Sequence, residues 1–390
     1  MLKYSVGLDV SAKDIHCCIS VIDTAQRVTV RATRKISNNN KGFGELDDWV
    51  QRHRKQKDLP LAVCMEATGV YYEHCAMYLF KAGYTVSVIL PNKAKKYLQA
   101  SGAKSKNDRI DAKGLAQMGA EKSLDPWEPM GEFFYQLREL TRHEQSLQEL
   151  KTAISNRLHA SNRGMYLNKE VIKQLKAQLR LLEKQVATCE KLTVDHMEAN
   201  AEVFAKANKI CQMKGLGIKT VATLVAETNG FLLFKNARQL ASFAGYDVVE
   251  NQSGSHVGKT RISKQGNSHI RRILHMPALG VVQYNVKPFV YLYERTVAKH
   301  GIKMKGYVAV QKKLLTTIYA LWKKNEDFDE GYKTKQHTEE QEPVLPLGSA
   351  ALAAGATAPA VVKHVVPTSK LALHKVSMPS EQSPYASSRV

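Results

Sequence analysis

Over the first ninety residues the apolar positions come in short β-branched runs, with helical spacing only between them. Residues 3–22 join two such runs across Gly7-Leu8-Asp9, which predicts adjacent strands of a hairpin with Asp9 near the end of the first. A third strand is predicted over 27–36. Phe43, Leu46 and Val50 then recur at helical spacing and predict a helix over 41–53. A short apolar strand at 61–65 flows into Glu66-Ala67-Thr68-Gly69-Val70, followed by a helix over 71–82 and a strand over 85–90. This alternation predicts a mixed sheet with helices. After Pro91 the chain turns basic, then helical from Asn107, where the Asn107-Asp108 pair offers an N-cap.

Between 133 and 192 the texture changes to long polar helices. Ile172, Leu175, Leu179, Leu182, Val186 and Cys189 alternate spacings of three and four, and Leu137, Leu140, Leu147, Leu150, Ile154 and Leu158 form a comparable stripe. A helical hairpin or coiled coil, interrupted near 162–168, is the expectation, and the stripe offers a device for dimerisation. A third, mainly helical block runs over 201–324 and ends in an apolar-basic helix at 307–324. Six of the 12 prolines fall after residue 331, where all periodicity is lost, so that tail is predicted to be disordered. The expected division is 1–130, 131–200, 201–330 and 331–390.

Composition narrows the partners. Among 390 residues, 57 Lys and Arg face 36 Asp and Glu, a formal charge of +21, and the tail holds six basic residues against four acidic. The charge therefore belongs to the folded body, and a polyanion is the expected partner. No apolar run approaches the roughly 18 residues of a spanning helix, and the start lacks a signal pattern, so a cytosolic, nucleoid-associated protein without membrane contact is expected. The six cysteines make no CxxC pair, which argues against zinc, and Cys17, Cys18 and Cys64 lie within apolar runs, which predicts small buried hydrophobes in a reducing compartment.

Three constellations carry chemistry. Asp9 after a strand, Glu66 at the end of another, and Asp108 with Asp111 on one face of a helix start are carboxylates whose convergence would need a divalent cation. Hard oxygen ligands suit Mg2+ or Mn2+ and phosphodiester chemistry. The plainer alternative makes them helix first-turn and loop residues. The second constellation is Lys214-Gly215-Leu216-Gly217-Ile218-Lys219 between two helices, which resembles the hairpin of helix-hairpin-helix DNA binders; an ordinary glycine turn is its alternative. The third is a Gly-rich loop with Ser253 and Ser255, surrounded by Lys259, Arg261, Lys264, Arg271 and Arg272. Its serine is either a nucleophile toward phosphorus or only a phosphate contact.

Taken in order, GLDVSAK, MEATGVYYE, KSKNDRIDAKGLA, the GLG turn, ASFAGYDVVENQSGSHVGKTRISKQGN and RRILHMPAL resemble one family over residues 3–325. It is that of the bacterial insertion-sequence transposases of the DEDD type, relatives of pilin-gene invertases and also called bridge-RNA-guided recombinases. The resemblance implies an α/β RNase H-like (RuvC-like resolvase) domain, a helical coiled-coil segment and a mainly α-helical C-terminal transposase domain with the helix-hairpin-helix-like motif. It makes Asp9, Glu66, Asp108 and Asp111 the metal-binding tetrad and maps the nucleophilic serine to Ser253, with Ser255 as its near neighbour. This chain has Gln252 where the family often has an acidic residue. The implied reaction is strand exchange through a phosphoserine. Its implied partners are target and donor double-stranded DNA, a structured noncoding guide RNA, and further copies of the chain as a dimer or dimer of dimers. Two other readings remain open from the residues alone. One is a junction endonuclease that hydrolyses with water, the other a non-catalytic nucleic-acid-binding scaffold.

Overall fold

The computed structural model describes residues 1–102, 107–250, 252–254, 256–258 and 260–331. Ser255, Lys259 and the tail predicted to be disordered lie outside the described residues.

The three N-terminal runs form β1 (Lys3–Val10), β2 (Asp14–Ile22) and β3 (Val28–Ser37), an antiparallel meander. Helix α1 (Asn40–His53) leads to β4 (Leu61–Glu66), α2 (Glu73–Lys81) and β5 (Thr85–Ile89), and both added strands run parallel to β1. The resulting strand order is β3-β2-β1-β4-β5, a mixed sheet as the alternation predicts. On one face Phe43, Leu46 and Trp49 of α1 and Leu79 of α2 cover Val6, Leu8 and Ile19. Burial removes those side chains from water at about 1.5–3 kcal/mol apiece.

After β5 comes a helix the sequence reading left out, α3 (Pro91–Ala100), whose proline stands at the helix start where a missing N–H costs nothing. Helix α4 (Asp108–Glu121) then lies on the second face of the sheet, and its Ala112, Ala116 and Gly119 let it approach closely. A Cβ on Gly7 would sit 2.2 Å from the Ala112 carbonyl oxygen, so glycine at this position is what lets the helix backbone touch the strand. Cys17, Cys18, Cys64 and Cys75 are buried free thiols, and burial pushes Cys64 and Cys75 each up to about 12. They are packing residues.

Among the described residues, the remainder is helical apart from one small ribbon. Helices α5 (Glu132–Ser161) and α6 (Lys169–Glu198) are antiparallel: Leu147 packs with Val186 and Cys189, and Lys151 reaches Glu183 at 3.6 Å. The two apolar stripes therefore face each other within one chain. Leu147, Val186 and Cys189 are buried in this contact, and Leu150 of the first stripe stays exposed.

Next come α7 (Ala201–Cys211), α8 (Ile218–Glu227) and α9 (Ala237–Phe243). A two-stranded ribbon follows, with β6 (Val248–Val249) paired to β9 (Arg261–Ile262) at its base and β7 (Gln252–Ser253) to β8 (His256–Val257) at its tip. Helices α10 (Ser268–Ile273), α11 (His275–Gln283), α12 (Lys287–His300) and α13 (Lys303–Lys324) complete the fold. These helices and Leu137 of α5 share one core centred on Phe231, Leu314 and Ile318. Asn39, Asn107, Asn168, Asn200, Asn236 and Asn267 each cap a helix by accepting a bond from a backbone N–H three residues on. Such caps are worth about 1 kcal/mol each.

Met1–Glu330 forms one continuous unit. Among the described residues no helix is long and apolar enough to cross a membrane.

Candidate active site

The register of the sheet assembles the carboxylates. Leu8 of β1 is level with Met65 of β4, so Asp9 and Glu66 follow one step later on neighbouring parallel strands, about 4.8 Å apart in strand spacing. Side chains alternate along a strand, and Gly7, two residues before Asp9, abuts α4. Cys64, two before Glu66, lies against Gly119 of the same helix. Asp9 and Glu66 therefore face α4. Going along β1 from Ser5 to Gly7 the contacts run from Gly119 back to Ala112, which brings Asp9 toward the helix start with Asp108 and Asp111.

All four carboxylates line one cleft of about 720 Å³, together with Ser11, Thr68, Tyr71, Asn92, Lys95 and Gln99. Asp9, Glu66 and Asp111 are half-buried and Asp108 is exposed. Thr68 Oγ1 donates to Glu66 Oε1 at 3.5 Å, and His16 Nδ1 stands 3.5 Å from Asp108 Oδ2. The amino end of α4 favours negative charge there. Among the described residues no three His, Cys, Asp or Glu side chains stand ready as a closed metal cage. The donors are nonetheless all hard oxygens on one cleft wall, the set that suits a small divalent cation. A divalent cation held among them would offset the repulsion between their like charges.

A second concavity, about 990 Å³, gathers Gly215, Lys219, Lys264, Arg271 and Arg272 with His269. Several of these cations already have protein partners. Lys219 Nζ bonds the buried Glu144 and, at 3.2 Å, Glu190. Burial pushes the Glu144 carboxyl up, and Lys219 only partly reverses it. Arg271 Nη1 donates to the Ala244 and Asn267 carbonyls at 2.9 and 3.2 Å, and Arg272 lies 3.4 Å from Glu149. Lys214, Gly217, Arg261 and Lys264 are exposed. Gly215 has φ +91° and packs on the backbone of Gly280 and Val281, so its turn needs glycine for conformation and for space.

Ser253 sits at the tip of the β7–β8 hairpin, exposed, next to Gly254 with φ +56°. It does not line the carboxylate cleft of its own chain. The structure thus brings the four acids together and leaves the serine on a separate ribbon.

Sequence reasoning missed the ion pair that the buried Glu227 makes with the partly exposed Arg142. Glu227, its side chain 1% exposed, accepts from Arg142 Nε and Nη2 at 2.7 and 2.8 Å and from Asn267 Nδ2 at 2.7 Å. Burial alone would raise the Glu227 carboxyl. The Arg142 fork and the Asn267 amide outweigh it, and the group rests below the ordinary carboxylate range. A depressed native value stabilises the fold above the unfolded carboxylate value of about 4.3, and that stability is lost as pH falls through the lower native value. Glu227→Gln is therefore expected to lower stability by about 3 kcal/mol at neutral pH, with the difference from wild type shrinking below about pH 4. Denaturant unfolding at pH 7 and pH 3.5 measures this, and an equal difference at both refutes it.

Comparison with known proteins identifies the family. A DEDD-type IS110 transposase family model matches residues 6–166, and a second, described as transposase of the IS116/IS110/IS902 family, matches residues 207–294. The pilin gene-inverting protein of Moraxella bovis is 27% identical over 333 residues, covering 84% of this chain and 98% of that protein. The transposase for insertion sequence element IS1111A of Coxiella burnetii is 23% identical over 292 residues, covering 68% of this chain and 79% of its own. Among solved structures, T. thermophilus RuvC in complex with Holliday junction substrate aligns at 14% identity with a TM-score of 0.24, over 32% of this chain and 99% of that one.

The molecule is a DNA transposase/recombinase, an enzyme of strand cleavage and exchange. The chain belongs to the IS116/IS110/IS902 transposase family. Membership of a DEDD family implies dependence on a divalent metal.

Proposed function

We propose that this transposase cuts and rejoins DNA through Ser253, with Asp9, Glu66, Asp108 and Asp111 holding Mg2+ at the scissile phosphate. The observation that carries the reading is the common cleft of the four acids, drawn from β1, β4 and α4. A bound divalent ion there supplies positive charge to the phosphate oxygens. Ser253 Oγ loses its proton and attacks phosphorus, the bond from phosphorus to the 3′ oxygen breaks, and that oxygen leaves as a 3′-hydroxyl. An exchanged 3′-hydroxyl then attacks the phosphoserine, restoring a phosphodiester and freeing the serine. No external energy source is needed, because each step exchanges one phosphoester for another.

Ser253 is at an exposed hairpin tip outside its own chain's cleft, which favours a site composed from two copies. The oligomer is then a dimer or dimer of dimers. Lys214, Gly215 and Gly217 of the turn before α8 contact phosphates in the manner of a helix-hairpin-helix. Arg261, Lys264, Arg271 and Arg272 extend that contact, as does Lys259, while Lys219 contributes through its pairing with Glu144 and Glu190. A structured noncoding RNA reads target and donor DNA by base pairing, which suits a chain of charge +21, and the complex resides with the nucleoid.

The test is complementation. Asp9→Asn and Ser253→Ala proteins, each inactive alone, are mixed on a donor–target substrate. Recovery of strand cleavage to about a quarter of the wild-type level or more is expected, as random pairing of two defective copies leaves some intact composite sites. An inactive mixture, from proteins that assemble and bind DNA normally, contradicts the composite site.

A further inference from the structure

Helix α5 carries a polar stripe, Tyr135, Arg138, Arg142, Gln145 and Glu149, at spacings of three, four, three and four. This repeat keeps all five on one face. Each has a defined partner. Tyr135 Oη donates to Glu73 at 2.8 Å, and Arg138 lies 3.7 Å from the same carboxylate. Arg142 forks onto Glu227, Gln145 Oε1 meets His269 Nδ1 at 2.7 Å, and Glu149 stands 3.4 Å from Arg272.

The two ends of this stripe hold different halves of the chemistry. Glu73 opens α2 directly after residues 67–72, the segment that follows Glu66 and lends Thr68 and Tyr71 to the carboxylate cleft. Asn267 caps α10, the helix that follows the serine ribbon, and His269 and Arg272 lie on it. The ribbon's base is tied to the same place: Ser263 N donates to the Asp247 carbonyl, Lys264 N to that of Gly245, and Arg271 to that of Ala244. Fourteen residues of helix separate Tyr135 from Glu149, a rigid span of about 21 Å. Apolar contact is non-directional and tolerates sliding. Five directional hydrogen-bond and ion-pair contacts to four partners, Glu73, Glu227, His269 and Arg272, do not, because a shift of one turn exchanges every pair.

We infer that this stripe sets the reach of the serine ribbon relative to the carboxylate cleft, making Tyr135 and Arg138 positioning residues for strand cleavage. The inference rests on the reading that Ser253 and the four acids act on one phosphorus. It holds whether the ribbon serves its own chain or a second copy, since in both cases its reach depends on where its base is anchored.

The experiment uses the full chain with Tyr135→Phe and Arg138→Met combined, and nitroxides carried by non-natural residues at Arg52 on α1 and Gln252 on the ribbon. Double electron–electron resonance reports the distance distribution, and single-turnover cleavage at saturating DNA reports the chemistry. The distribution is expected to broaden, and cleavage to slow by about a hundredfold, with DNA affinity and thermal midpoint unchanged. A merely structural role would move the midpoint and leave single-turnover cleavage by the folded fraction intact. Arg138→Lys alone is expected to retain the narrow distribution and most of the rate. An unchanged distribution overturns the inference, and so does a broadened one with wild-type cleavage. Should the double variant fail to fold, Tyr135→Phe alone is scored by the same two readings. Absence of a DNA–Ser253 adduct in wild type would count against the proposed function, while the distance distribution would still decide the role of the stripe.

Discussion

Asp9→Asn is expected to reduce strand cleavage roughly ten-thousandfold, the scale on which removal of a catalytic group acts. DNA affinity should stay within about twofold, because binding draws on many phosphate contacts and the loss of one acidic charge does not remove any of them. The substitution preserves shape. Asp9 pairs with His16 across β1 and β2, and asparagine keeps those backbone bonds and the strand's register. What disappears is one of four negative charges on the cleft, and with it the attraction for a divalent cation that the other three share. Cleavage of a labelled donor duplex and Mn2+ titration by calorimetry should both register the change. Retained cleavage would return the four acids to the role of helix-start and loop residues.

Ser253→Ala is expected to abolish covalent attachment of DNA to protein and all joined product, with stability unaltered. The side chain is exposed at a hairpin tip, so its removal opens no cavity. Ser253→Cys should keep a slow residual reaction, since a thiolate is also a nucleophile. Ser255→Ala serves as the internal control and should leave the adduct in place. If Ser255→Ala abolishes the adduct and Ser253→Ala does not, the roles exchange within the same loop. If cleavage persists in Ser253→Ala with free 5′-phosphate ends, water is the nucleophile and Ser253 is a phosphate contact.

Much of the cleft was legible because it depends on local pattern. Asp9 and Glu66 stand where β-branched runs end, and Asp108 with Asp111 follow an asparagine that caps α4. Gly7 marked a turn in the sequence, yet its structural reason is the contact with Ala112, which no local pattern reveals. Helix α3 was passed over because the lysine-rich stretch after Pro91 was read only as basic, although proline at a helix start is favourable. The serine ribbon read as a loop for a different reason: each of its strands is two residues long, too short to show alternation. Both apolar stripes of the long helices were visible, but periodicity identifies a buried face without naming what buries it, and here each covers the other. Arg142, Glu227 and Asn267 meet from three distant stretches, so only the fold brings them into view.

The central claim is that Ser253 attacks the phosphate held by the four acids. Its most direct test is mass spectrometry of protein digested after reaction with a suicide donor substrate, with and without Mg2+ and in the Asp9→Asn protein. The account predicts a nucleotide-bearing peptide modified at Ser253 that forms only in wild type and only with the metal. Cleaved DNA without any protein-linked peptide, or an adduct indifferent to Asp9, would contradict it.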